Sequence, residues 1–177
     1  MSLLSRRGFL ATAAAGTAVL AMPNIVRAGN DLRRLSFHNL HTEERLRATY
    51  WVDGRYDKGA LGEINEVLRD FRTGEVFPID PKLMDLLDGL QRTLGKESTY
   101  AVISGYRSPK TNAMLRGNSG GVARKSFHMK GQAIDIAMGG VDLRAVHRAA
   151  LDLQAGGVGL YAKSGFVHVD TGPVRTW

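Results

Sequence analysis

Apolar and polar positions along this chain change period several times, and each change predicts an element. Residues 35–39 and 46–52 alternate as short strands, and Asp53-Gly54 supplies the turn after the second. Across residues 58–71, Leu61, Ile64, Val67, Leu68 and Phe71 recur at helical spacing, before a loop over 75–81. Leu83, Leu86, Leu87, Leu90 and Leu94 then trace the buried stripe of a second helix. Pro81 suits its first turn and Gly95 its end. Residues 100–104 read as a strand, Ser108-Pro109 as the N-cap and first position of a short helix, and 116–125 as a basic, glycine-rich loop. The pattern over 141–153 is helical, with His147 facing solvent. Two stretches alternate once more. Ile134 and Ile136 share one face of residues 133–137; over 165–170, Val167 and Val169 face one way and Phe166, His168 and Asp170 the other. The pattern predicts a single α+β domain, a small antiparallel sheet flanked by helices, with no internal repeat.

The polar faces of the last two strands carry the candidate chemistry. His128, Asp135 and His168 offer two imidazoles and a carboxylate. That is the ligand set of a catalytic zinc with its fourth position open. A structural zinc would be closed by four protein ligands, usually including thiolates, and the chain has no cysteine. On a straight strand, positions seven apart point to opposite faces, so His128 and Asp135 could not share an ion. Gly131 lies between them and can supply the bend or positive φ that brings His128 round. A neighbouring strand could set His168 beside Asp135 across the ladder. If the three converge, the chain is a hydrolase. His38 and His41 have no partner spacing and read as structural or exposed. The cluster Gly156-Gly157-Val158-Gly159 leads towards the His168 strand, and without a following helix and lysine it is no phosphate loop.

The run Ser126-x-His128-x-x-Gly131-x-Ala133-x-Asp135, the distant His168-x-Asp170 and the preceding Ser104-Gly105-Tyr106-Arg107-Ser108 resemble the D-Ala-D-Ala metallopeptidase group. Its superfamily also holds lysostaphin and the hedgehog signalling domain. Within it the resemblance is strongest to the murein endopeptidase K type of Gram-negative bacteria, and it covers about residues 35–171. The resemblance implies one zinc ion per chain held by His128, Asp135 and His168. It also implies that Arg107 contacts substrate and steadies a developing oxyanion, and that Ser126 stands beside the first ligand or faces substrate. Many relatives place a catalytic carboxylate or histidine shortly before the last ligand, where this chain has Lys163, Ser164, Gly165 and Phe166. Asp170 is the substitute candidate for general base; it could equally orient His168 or cap a turn before Gly172-Pro173. The implied substrate is peptidoglycan, at D-Ala–diaminopimelate or diaminopimelate–diaminopimelate cross-links. The rival functions are a D,D-carboxypeptidase or dipeptidase on stem-peptide ends, and a wall-binding module that holds zinc without turnover.

Export is predicted at the N-terminus. Ser5-Arg6-Arg7-Gly8-Phe9-Leu10 precedes a short alanine-rich apolar stretch, and Val26-Arg27-Ala28 fits a small-residue cleavage site. Residues 1–28 read as a twin-arginine signal peptide, recognised by that export machinery and removed, and residues 29–177 as a periplasmic peptidase domain. The stretch is too short and too rich in Ala, Thr and Gly for a comfortable span, so no stable membrane insertion follows cleavage. A missing disulfide framework suits a protein that folds before export. The formal charge of +7 includes Arg6, Arg7 and Arg27 and no acid from the signal, which leaves +4 on the remainder. Such a balance suits an anionic envelope. No base-reading motif or aromatic platform points to nucleic acid, and the domain reads as a monomer.

Overall fold

The computed structural model describes residues 31–118 and 121–177; the predicted signal peptide lies outside them. The described chain runs β1 (Leu32–Asn39), β2 (Arg45–Val52), β3 (Arg55–Tyr56), α1 (Lys58–Val67), α2 (Pro81–Thr93), β4 (Thr99–Ser104), α3 (Pro109–Asn118), β5 (Ala133–Met138), α4 (Leu143–Leu153), β6 (Gly157–Tyr161), β7 (Phe166–Asp170) and β8 (Arg175–Thr176). The α+β class holds. The sheet is larger than its small predicted form: eight strands in the order β3-β2-β1-β4-β5-β7-β6-β8. Its neighbours are antiparallel except at β1–β4 and β6–β8, which are parallel. Among the described residues no helix is long and apolar enough to cross a membrane.

Local sequence explains most boundaries. Asp57 and Asp80 cap α1 and α2 by accepting from the N–H of Ala60 and Lys82, and Pro81 opens α2 as expected. Ser108 caps α3, its Oγ accepting from the Thr111 N–H at 3.2 Å. The turn at Asp53 and Gly54 puts both residues at positive φ, which closes the hairpin of β2 and β3.

Alternation on the strands divides the sheet. Ile134, Ile136, Val167 and Val169 join one core with Leu83, Leu87 and Leu90 of α2 and Val146 of α4. The intervening residues Asp135 and His168 therefore point to the opposite face. His147, expected to face solvent, is half buried on α4. At β8 two residues cover the outer side of β6, which shields the ladder edge nearest the polar face.

Candidate metal centre

Three separate devices bring the predicted ligands together. His128 sits in a single 3₁₀ turn, Phe127–Lys130, whose N-cap is Ser126; the Ser126 Oγ accepts from the His128 N–H at 3.3 Å. Gly131 ends that turn at φ +64. A Cβ there would run into the Pro78 carbonyl oxygen, so no other residue fits the backbone at this bend. Asp135 lies at the centre of β5, directly opposite His168 of β7 in the antiparallel register. The expected cross-strand pairing is present, and the left-handed glycine carries His128 onto the same face.

The donor atoms form a tight triangle. His168 Nδ1 lies 2.8 Å from Asp135 Oδ1 and 3.2 Å from His128 Nε2, and His128 Nε2 lies 3.3 Å from Asp135 Oδ1. Zinc bonds of about 2.0–2.1 Å at tetrahedral angles put neighbouring ligand atoms about 3.3 Å apart, so the donor set and its spacing fit a small divalent cation. All three residues are buried, and their outer nitrogens are occupied. His128 Nδ1 donates to the Gly105 carbonyl at 2.7 Å, and His168 Nε2 faces Asp170 Oδ2 at 3.0 Å. Each contact leaves a ring nitrogen lone pair for the cluster.

Electrostatics follow from burial and charge. Burial alone would raise the Asp135 carboxyl, but His128, His168 and Arg107 outweigh it and hold it far below the ordinary carboxylate range. Burial pushes His128 below its ordinary value. Burial also opposes protonation of His168, but its contacts with Asp135 and Asp170 prevail and hold it above. A cation entering the triangle takes the place of the proton that His168 shares with Asp135.

Arg107 reaches the cluster through an irregularity in β4. The register slips between Val102 and Ser104, so that Ser104 stands opposite Asp135. The Arg107 Nε donates to Ser104 Oγ at 2.7 Å, and Nη2 pairs with Asp135 Oδ2. The chain that follows is anchored by Asp70, which is buried and accepts from the N–H groups of Arg72 and Ser108.

Asp170, the candidate base, is buried behind His168. Arg175 grips it through Nη2 at 2.6 Å and Nη1 at 3.1 Å, and the N–H groups of Gly157 and Gly172 donate to it. Burial favours its neutral form, yet His168, Arg175 and the Gly172 N–H together hold it well below the ordinary carboxylate range. The triangle forms the floor of a cleft of about 570 Å³, whose walls include Lys125, Phe127, Tyr161, Phe166 and Trp177. Phe166 is expected on the face of His168, and Lys125 in the basic, glycine-rich loop; Phe127, Tyr161 and Trp177 do not stand out in the sequence. Tyr161 is the register partner of Phe166, and the alternation around His168 carries the one signal that could have found it.

Comparisons with known proteins identify the family. A family model described as Peptidase_M15_2, peptidoglycan L,D-endopeptidase MepK, matches residues 27–177. The chain belongs to this family. Curated relatives include peptidoglycan L,D-endopeptidase MepK of Escherichia coli K12, 45% identical over 177 residues, covering 98% of this chain and 97% of the relative. The protein of the same name in Shigella flexneri matches to the same extent. The probable peptidoglycan L,D-endopeptidase MepK of Haemophilus influenzae is 40% identical over 98% of this chain and 95% of its own. No solved structure matches. As a member of Peptidase_M15_2 the chain is a peptidase, and His128, Asp135 and His168 form a group that could hold a metal ion.

Proposed function

We propose that this Peptidase_M15_2 member is an exported, monomeric peptidoglycan endopeptidase working in the periplasm, with one zinc ion held by His128, Asp135 and His168. The observation that carries the reading is the donor triangle, with sides of 2.8 to 3.3 Å, at the floor of an open cleft. Zinc bound there would supply a Lewis acid and a water acidic enough to ionise near neutrality. The protein's own groups do the rest. Arg107, whose Nη1 has no protein partner among the described residues, is aimed to bind the carbonyl oxygen as negative charge develops. Its Nη2 meanwhile steadies the second oxygen of Asp135. Ser126 shapes the turn that carries His128.

Asp170 acts as the orienting carboxylate of His168 in this reading. Its Oδ2 already faces His168 Nε2 and Arg175, on the side of the ring away from the triangle. Asp135 is the one carboxylate among the described residues lining the cleft, so no separate carboxylate base is assigned. The names of the curated relatives specify an L,D bond. Of the two cross-links that the family resemblance implies, that favours diaminopimelate–diaminopimelate over D-Ala–diaminopimelate, whose joined centres are both D. Residues 1–28 direct export by the twin-arginine route.

Digestion of purified cross-linked muropeptides by the zinc-loaded protein, beside His168→Ala and resolved by mass spectrometry, tests the reading. Monomers released from diaminopimelate–diaminopimelate dimers only by the intact protein are expected. Loss of a terminal residue with dimers left whole would move the assignment to a carboxypeptidase. One bound equivalent of zinc with nothing cut would leave a wall-binding module.

A further inference from the structure

The glycine cluster at 156–159 and the last residues of the described chain belong together. On β6, Gly157 stands opposite Asp170 and Gly159 opposite His168. A Cβ on Gly157 would come within 2.5 Å of both Arg175 Nη1 and Asp170 Oδ2. A Cβ on Gly159 would stand 2.5 Å from the indole of Trp177. The strand has thus been stripped of side chains on its polar face where Arg175 and Trp177 lie. Its next residue on that face, Tyr161, stacks on Phe166 at 4.5 Å between ring centroids.

Trp177 is held from several sides and left open on another. Its backbone closes on β6 through hydrogen bonds to Val158 and Leu160, and its Nε1 donates to Tyr161 Oη at 2.9 Å. The Arg175 guanidinium lies 5.0 Å from the Phe127 and Trp177 ring centres, and its charge is already matched by Asp170. The indole centroid sits 5.2 Å from that of His168, yet the residue remains 50% exposed and lines the cleft. A core role does not require a large aromatic to stay half open beside the candidate metal ligands. A rigid ring whose NH is satisfied within the protein offers an apolar face at little cost in conformational entropy.

We infer that Trp177, seated on Gly159 and flanked by Tyr161 and Phe166, is the wall of the cleft that binds the aliphatic side chain of a stem-peptide residue. Lys125, exposed at the rim with no ion-pair partner among the described residues, faces the carboxylate that such a side chain carries at its end. The ligand class is a short methylene chain ending in an acid, which diaminopimelate provides. This assignment rests on the peptidoglycan reading above and adds the surface that selects the substrate. Trp177 here is a substrate-binding residue, and Gly159 a positioning residue acting through it.

The test separates binding from turnover. With the zinc-loaded protein on cross-linked dimers, Trp177→Ala is expected to raise KM about tenfold, the change that ~1.4 kcal/mol of binding produces, with kcat within about twofold and one equivalent of zinc retained. Trp177→Phe should recover most of the loss, and Gly159→Ala, which displaces the ring, should raise KM in the same direction. In a Trp51→Phe background, which leaves Trp177 as the sole indole, uncross-linked tetrapeptide muropeptide should shift the emission saturably, and Lys125→Ala should weaken that titration. Unchanged KM in Trp177→Ala while the intact protein cuts dimers would overturn the wall and leave the endopeptidase standing. Loss of zinc, or a fall in kcat at constant KM, would likewise overturn it and make Trp177 a support for His168. A saturable emission shift in a protein that cuts nothing would keep the wall and remove the reaction. No emission shift, with no cutting, would remove both.

Discussion

At the scale of single residues, the structure brings His128, Asp135 and His168 into one buried group that could hold a metal ion. His128, Asp135 and His168 are chemically marked, and a glycine at 131 announced the bend between the first two. In the sequence Asp170 reads as a candidate base that could equally orient His168 or cap a turn. Its orientation depends on Arg175, five residues on, and on a glycine at 157 whose missing side chain makes room. That geometry predicts the outcome of Asp170→Asn. The amide can no longer accept fully from both Arg175 and His168, so the imidazole loses its anchor while the triangle itself survives. Such outer partners are worth about 10–100-fold in metal affinity, and competition against a chromogenic chelator should show a loss of that size. Unaltered affinity with turnover abolished would return Asp170 to the role of base. Gly131→Ala should be harsher. It forces an L side chain to φ +64 and against the Pro78 carbonyl, and thermal denaturation should register a loss of at least ~1–2 kcal/mol from strain alone.

At the scale of elements, the segment joining α1 to α2 shows how sequence pattern and backbone part company. Helical spacing continues to Phe71, but α1 ends at Val67. The apolar residues stay useful after the helix stops: Leu68 is fully buried, and Phe71 stacks on His41 at 3.9 Å. Asp70 accounts for the break, because its backbone N–H bonds Glu75 and its side chain turns to Arg72 and Ser108. β6 was hidden for the opposite reason, its glycines leaving no alternation to read, and β8 is too short to show any. Asp70 also gives the chain a pH signature. Burial would raise its carboxyl, but hydrogen bonds from Ser108, Thr111 and Arg72 prevail and lower it to about 2. An unfolded aspartate titrates near ~3.9, so the unfolded chain binds the proton first as acid is added. The stabilisation is therefore complete above ~4 and disappears as pH falls through about 2, and it amounts to roughly 2–3 kcal/mol. Asp70→Asn sets an amide NH₂ against a backbone donor. Chemical denaturation at pH 7 should show a loss of that order, shrinking towards pH 2; a loss independent of pH would mean that packing, not charge, is what Asp70 supplies.

At the scale of the whole molecule, a metal ion at the proposed site would tie together parts that lie far apart in the sequence. His128 comes from the turn after α3, Asp135 from the middle of the sheet and His168 from the strand beyond α4. Only the folded chain sets their donor atoms within 3.3 Å of one another. An ion held by all three stabilises the native state alone, by RT ln(1 + [M]/Kd), about 2.7 kcal/mol at a hundredfold excess over Kd. For a domain of this size that corresponds to a rise in Tm of roughly 5–10 °C. A chain without disulfides has no covalent cross-link to mask the effect. Differential scanning calorimetry with zinc and with a chelator should resolve the shift, and His168→Ala should abolish it while leaving the chelated Tm within a few degrees. If His168→Ala kept the full shift, the stabilising ion would sit elsewhere and the triangle would be a hydrogen-bonded cluster. Because His168 is held above its ordinary value by its two carboxylate neighbours, the ion must compete with a proton there. The zinc-dependent rise in Tm should therefore shrink as the pH is lowered through the histidine range, and a shift that stayed constant across that range would argue against His168 as a ligand.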